Sequence, residues 1–329
     1  MSDFVSLYTA FSGLQAAQAG LDTTSHNIAN AATIGYTRQR VQQASRVPYY
    51  QRFGTIGQGV DVVDITRARV TALDLQVRNS ASAQGRLDIL ADLLSTSEAM
   101  MGEPDAGITS SLSGLWSALE ELVLDPPDPA ARHNVITALD SVATSIRGVA
   151  DKWTQQAGTT TESFASYVSQ TNDLLRQVAD LNQKILTAQS LPGTPNDLLD
   201  QRDLVLDELA NIAGTTATVV DNGSVRVSLD GLNLVSDTMV SPLSFNAATG
   251  VITHSSGATV TPGGELAGFD TFLHTELPSI QSRLDIFAQE LADALNAQHA
   301  LGFTTAGTAG GDLLSYTPGL AAKTIAVAV

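Results

Sequence analysis

The sequence predicts a mainly α protein, a discontinuous bundle of long helices with a coiled-coil-like N-terminal helix and a small β-domain insertion. Three observations carry that expectation. Apolar residues recur at three- and four-residue spacing over most of the chain. The spacing drops to two in one stretch, residues 215–262. Hydrophobic residues make up 43% of the chain and aromatics only 5%, so the apolar stock is the Ala, Leu, Val and Ile of narrow helix seams.

Each element has a local reason. Ser2 can cap the first helix, with Asp3 in its positive first turn. Phe4, Leu7, Phe11, Leu14, Leu21 and Ile28 then form a coiled-coil-like seam, interrupted at Gln18 and Ser25. The other face carries Ser6, Thr9, Ser12, Gln15 and Thr23 and almost no charge, which suits a helix packed on several sides, against other chains included. Residues 1–35 are therefore read as an assembly helix with subunit-interface residues Phe4, Leu7, Phe11, Leu14, Leu21, Asn27, Ile28 and Asn30. Residues 36–68 follow as an extended linker, spaced by Gly57 and Gly59 and ending in the alternation Val60-Asp61-Val62-Val63-Asp64-Ile65.

Helical periodicity resumes with Val70, Leu73, Val77, Leu87, Ala91 and Leu94, and Gly102-Glu103-Pro104-Asp105 ends it. One further helix presents Ile108, Leu112, Leu115, Leu119 and Leu122. Asp128 before Pro129 starts another, carrying Val135, Leu139, Val142, Ile146, Val149 and Trp153. A separate long helix is expected over residues 161–189, ended by Leu191-Pro192-Gly193. The next starts near Thr194 or Asn196 as cap and stops at Gly214. Asp221-Asn222-Gly223 and Asp230-Gly231 are hairpin turns between short strands. Helix returns near Glu265 and runs through Leu273, Leu277, Ile280, Leu284, Phe287, Leu291 and Ala294, with Pro278 as a kink or restart. The expected division is a bundle of residues 69–214 and 265–315, a β domain of residues 215–264, and a tail of residues 316–329 ending in a strand.

The formal charge of −17 and pI near 4.4 argue against nucleic acid and against anionic membrane surfaces as partners. Without cysteine there are no disulfides and no thiolate metal sites. The N-terminus has no basic region followed by a continuous apolar one, so it is not read as a secretory signal, and no membrane span is expected. His26, His133, His254, His274 and His299 are scattered, and HExxH, GxSxG, Walker and GxGxxG motifs are absent. Neither catalytic nor cofactor nor metal residues are expected. Asp200, Asp203 and Asp207 share a helix face at i, i+3 and i+7, and read as carboxylates near a helix start with Arg202 beside them.

The segment from Asn27 to Tyr36 is the most distinctive. Asn27 and Asn30 lie one turn apart, and their amides suit the binding of exposed backbone where a helix unwinds. A polar helix end with an incidental turn is the competing reading, and residue chemistry leaves both open. Thr33, Gly35 and Tyr36 are read with Gly57 and Gly59 as hinge and linker positions.

Asn27-Ile28-Ala29-Asn30, Thr33 and Gly35-Tyr36 resemble the N-terminal signature of flagellar rod, hook and hook-associated proteins, as does Gly57-Gln58-Gly59-Val60 with Ile65, Arg67 and Asp74-Leu75-Gln76. The bundle motif Asn196-Asp197-Leu198-Leu199-Asp200-Gln201-Arg202-Asp203 and the run Asn296-Ala297-Gln298-His299 before Leu301-Gly302-Phe303 resemble, within that group, the hook-associated protein 1 family. The resemblance implies a non-catalytic subunit of the hook–filament junction. Its partners would be copies of itself, the hook protein and the next hook-associated protein. It would be secreted to the extracellular flagellum by the type III route without signal cleavage. Other hook or rod subunits, or a secreted helical adhesin binding through its β insertion, are the alternatives. Family members carry a C-terminal helical segment that pairs with the N-terminal helix and engages an export chaperone. The sequence given reaches Val329 without one, which puts inner-tube packing and the chaperone in question.

Overall fold

The computed structural model describes residues 2–52, 54–102, 107–190, 193–304 and 307–328, without the side chains of residues 2–5 and 51. Helix α1 (Ser2–Ala29) leads into a ribbon of β1 (Gln39–Ser45), β2 (Tyr49–Gln51), β3 (Gly54–Ile56) and β4 (Val60–Arg67). Helices α2 (Thr71–Ala99), α3 (Ile108–Leu124), α4 (Pro129–Ala188) and α5 (Asn196–Ala213) follow. Six strands come next: β5 (Thr216–Val219), β6 (Val225–Leu229), β7 (Leu232–Ser236), β8 (Met239–Val240), β9 (Leu243–Asn246) and β10 (Val251–His254). Helix α6 (Gly264–Thr271), a π turn (Phe272–Glu276) and α7 (Leu277–Ala300) restore the helical rhythm, and β11 (Leu314–Ser315), α8 (Ala321–Thr324) and β12 (Ala326–Val327) close the described chain. The mainly α class with a small β insertion is the one the seams predict.

The chain forms two compact units. The first comprises Met1–Gly85, Tyr167–Asn246 and Val251–Glu265. In it β1 and β4 pair antiparallel from Gln39↔Arg67 to Ser45↔Val60, with a register shift at Gln42/Gln43, and β2 pairs with β3. The sheet order β5-β6-β7-β8 follows from hairpins, with β9 and β10 paired separately. Both expected turns form. Gly223 has φ +83°, and Asp230 and Gly231 have φ +51° and +76°, the sign a two-residue primed turn needs at both positions. Leu175, Val178 and Ile185 of α4, Leu206 and Leu209 of α5, and Val227 and Leu234 of the sheet are buried.

The second unit comprises Arg86–Ser166, Ala247–Gly250 and Leu266–Val329. Its core gathers Leu115 of α3, Leu139, Val142, Ile146 and Trp153 of α4, Phe272, Leu284 and Ala288, and Ile325 beyond α8. Asp128 caps α4 as expected: the Ala130 amide donates to its Oδ1 at 3.0 Å. Phe164 stacks on Phe269 with centroids 5.7 Å apart.

Four local expectations need correction, and a fifth, at Pro278, holds. The two helices expected on either side of residue 158 are one, the 60-residue α4. A lone glycine costs only about 1 kcal/mol against alanine. The polar stretch around it is also satisfied, because buried Gln156 donates to the Leu93 carbonyl at 2.9 Å and accepts from Ser97 Oγ at 2.8 Å. Neither Thr194 nor Asn196 caps α5; Pro195 stands at that position, and both side chains reach β4 instead. Pro278 marks the restart expected of it, since α7 begins at Leu277 with the proline in its first turn, after the π turn. It lacks the N–H that would bond residue 274, and the π turn before it absorbs the missing bond, with the Leu277 amide donating to the Phe272 carbonyl. The expected face of α2 is largely outside any core, with Val70, Leu73, Val77 and Leu87 all more than half exposed. The terminal strand shrinks to Ala326–Val327, paired with Leu314–Ser315, because Ala321–Thr324 coils first. The expected breaker at residues 103–105, Leu191 and Pro192, and the terminal Val329 lie outside the described residues.

Candidate assembly site

The site lies within the first unit, where α1 ends. Asn27 faces Gln39 twelve residues on. Its Nδ2 donates to the Gln39 carbonyl at 2.9 Å, and its Oδ1 accepts from the Gln39 amide at 2.8 Å. The side chain thus copies a strand partner, closing the first residue of β1 with the bond pair that a neighbouring strand supplies. The Tyr36 hydroxyl donates to the same Oδ1 at 2.8 Å. Burial, then the carboxylates of Asp197 and Asp200, hold the Tyr36 phenol above its ordinary pKa, so it stays a donor. Asn30 does something else: its Nδ2 donates to the His26 carbonyl at 3.1 Å and its Oδ1 accepts from Thr33. Both readings left open by the sequence are therefore present, backbone binding at Asn27 and a polar helix end at Asn30.

Gly35 has φ +81° and lies against Leu204, where a Cβ would touch at 3.4 Å. Gly59 has φ +94° and is pressed on α1, since a Cβ there would stand 2.1 Å from Ser12 Oγ. Gly57 has open space around it and an ordinary φ. The contact at Gly59 defines the face α1 buries. Ser12, Ala16 and Thr23 are buried, and Ser12 Oγ accepts from the Val60 amide at 3.2 Å. The apolar seam points elsewhere: Leu7, Phe11, Leu14, Leu21 and Ile28 are 65%, 53%, 65%, 69% and 72% exposed. The backbone of Phe4 is helical, and its side chain is outside the described residues.

The run Asn196 to Asp203 holds the linker in place. Asn196 donates to the Ile65 carbonyl at 2.6 Å. Asp197 accepts from Gln39 Nε2 at 3.3 Å and lies 3.6 Å from His26 Nε2. Asp200 takes the Thr37 amide at 2.9 Å and Arg67 at 2.9 Å. Asp203 meets Arg67 at 2.6 Å, Arg69 at 3.4 Å and Arg78 at 3.4 Å, and Asp207 meets Arg78 at 2.6 Å. Hydrogen bonding to Asp74 and the charges of Asp203, Asp74 and Asp207 raise the Arg69 pKa against the opposing effect of burial, which is the largest single contribution. Leu198 and Leu199 are half-buried between these polar rows.

Arg202 is the correction here. It turns away from the carboxylates, donating to Asn182 Oδ1 at 3.0 Å and the Gly223 carbonyl at 2.9 Å. Its pKa is lowered to about 10, chiefly by burial, with Asp203 opposing and the neighbouring Arg67 and Arg78 adding to the lowering. The partners of the aspartates are instead Arg67, Arg69 and Arg78, which sequence reasoning did not single out as site residues. Their signal was available, as three arginines flanking the start of α2 in a chain with 17 basic residues. Among the described residues no group of three His, Cys, Asp or Glu could hold a metal ion.

A family model described as "Flagellar hook-associated protein FlgK helical domain" matches residues 94–314, and one described as "Flagella basal body rod protein" matches residues 7–37. The chain belongs to the FlgK family of flagellar hook-associated proteins. Its similarity to the Salmonella typhimurium "Flagellar hook-associated protein 1" is 30% identity over 322 residues, 93% of this chain and 58% of that one. Against the Bacillus subtilis protein of the same name it is 30% over 364 residues, 97% and 71%. The chain thus spans 58% of the first of these FlgK-family relatives and 71% of the second. The fold is similar to the Burkholderia pseudomallei "flagellar hook junction protein FlgK" structure, with TM-score 0.65 and 26% identity over 74% of this chain and 47% of that one. No described helix is long and apolar enough to cross a membrane.

Proposed function

We propose that this chain is a structural subunit at the junction between flagellar hook and filament, acting by axial self-assembly and not by catalysis. The observation that carries the reading is the seam of α1. It presents five large apolar side chains at half exposure or more, on a helix whose other face is fixed to the ribbon. Burying such a stripe against other subunits supplies the free energy of assembly. Asn27, Asn30 and the linker positions Thr33, Gly35, Tyr36, Gly57 and Gly59 set the helix against the body, and the run Asn196 to Asp203 is the plate on which the linker rests. The partners are further copies of the chain, the hook protein and the next hook-associated protein, and the route out of the cell is type III export without signal cleavage.

The test is localisation. An epitope-tagged chain expressed in a bacterium lacking its own copy is expected to place immunogold label at the hook–filament boundary. Label over the hook or rod overturns the junction placement, and label confined to the cytoplasm overturns the axial role.

A further inference from the structure

Two exposed patches outside the α1 seam carry opposite charge. The first is the ribbon. Residues 36–68 hold five arginines against two aspartates. Arg38, Arg40 and Arg52 are exposed and make no ion pair among the described residues, while Arg46 is paired with Asp61 at 2.7 Å. Val47, Tyr49 and Tyr50, at the end of the ribbon that carries Arg46 and Arg52, are 79%, 53% and 75% exposed, while Arg38 and Arg40 stand at the start of β1. The second patch is the tip of the α3–α4 hairpin. Residues 116–128 hold four carboxylates and no base. Glu120, Glu121 and Asp125 are exposed and unpaired among the described residues, and Trp116, Val123 and Leu124 are 51%, 75% and 86% exposed.

We infer that the ribbon of one copy docks on the α3–α4 tip of the next. Each patch joins large apolar side chains to a rim in which one sign predominates, the composition of an interface centre and its border; the exceptions are Asp61 and Asp64 in the ribbon and Arg132, which donates to the Pro126 carbonyl at the tip. The chain as a whole is acidic, with a net charge of −17, so copies repel unless their basic ribbon finds a carboxylate-rich surface. Neither patch can pair with its own kind, because like charges would face each other. The contact is therefore heterologous: it leaves one free patch of each sign on every pair, so it propagates into a ring or a helical row. This contact rests on the assembly reading for its purpose, and it uses surfaces outside the α1 seam.

The absence of cysteine makes cross-linking clean. Full chains carrying Tyr50→Cys and Leu124→Cys, mixed at low salt with a short bis-maleimide, are expected to cross-link about ten-fold faster than either variant alone. Arg52→Glu in the first chain, or Glu121→Arg in the second, is expected to remove the excess, and both together to restore it. No excess in the mixture, or an excess indifferent to the charge reversals, overturns the contact. In chains that also carry Leu14→Asp the mixed cross-link is expected to persist, and its loss there overturns the independence from α1. Misplaced label on the flagellum with cross-linking intact removes the junction reading alone. Correct label without cross-linking removes this contact alone.

Discussion

Asn27 makes three hydrogen bonds to two residues that follow it, and Asn30 makes only bonds inside its own helix end. Asn27→Ala strips the Gln39 amide and the Tyr36 hydroxyl of their acceptor. The expected cost is about 2 kcal/mol, read as a lower unfolding midpoint and faster hydrogen exchange at Gln39. Asn30→Ala, at an exposed position with local bonds, is expected to cost under about 1 kcal/mol in the same measurements. The sequence could place both asparagines on one face, but it could not separate them, because the separation depends on where Gln39 lies after the turn at Gly35. The glycines divide in the same way. Gly59→Ala combines a positive φ with a Cβ on Ser12, so a loss on the order of 2 kcal/mol is expected, whereas Gly57→Ala is expected to leave the midpoint unchanged. Both read alike as linker glycines. Only the approach of α1 distinguishes them.

At the scale of elements, the first half of α2, the end of β4 and α5 are joined more by charge than by apolar contact. Val70, Leu73 and Val77 stay exposed while Arg78 reaches Asp203 and Asp207. Asp203 is the shared partner of three arginines and is 14% exposed, so Asp203→Ala strands positive charge in a poorly solvated place. A loss on the order of 3 kcal/mol is expected in urea unfolding. Asp197→Ala, 68% exposed, is expected to cost less than about 1 kcal/mol. The i, i+3, i+7 spacing of the carboxylates was legible because a helix fixes it locally. Their partners were not, since Arg67 lies 133 residues from Asp200 and no local rule pairs them. Arg202 misled for the same reason: proximity in sequence placed it among the aspartates, while helix geometry turns it to Asn182. The continuity of α4 was hidden because Gln156, the buried polar residue just before residue 158, finds its partners on α2.

For the whole molecule, the α1 seam tests whether folding and assembly use different faces of one helix. Stability of the first unit draws on Ser12 and Thr23, which the sequence showed only as part of a weakly polar face, and on Ala16, which it did not single out. Leu7, Phe11, Leu14, Leu21 and Ile28, the described seam residues that the periodicity marked most clearly, are the ones left in solvent. Periodicity reports a face that needs burial, and it is silent on whether the partner belongs to the same chain. Leu14 stands at the middle of that face, 65% exposed. A charge placed there meets water in the free chain, so Leu14→Asp is expected to shift the unfolding midpoint by no more than about 0.5 kcal/mol. In an assembly the same carboxylate would be buried without a partner, at a cost of several kcal/mol per subunit, repeated around every contact. The expected outcome is a chain with unaltered thermal unfolding and circular dichroism that no longer labels the hook–filament boundary. Leu14→Met, which keeps the volume and the apolar surface, is expected to label it normally. Normal incorporation of Leu14→Asp would remove the seam from the interface, and a large loss of stability in the free chain would show that α1 buries this face against its own unit.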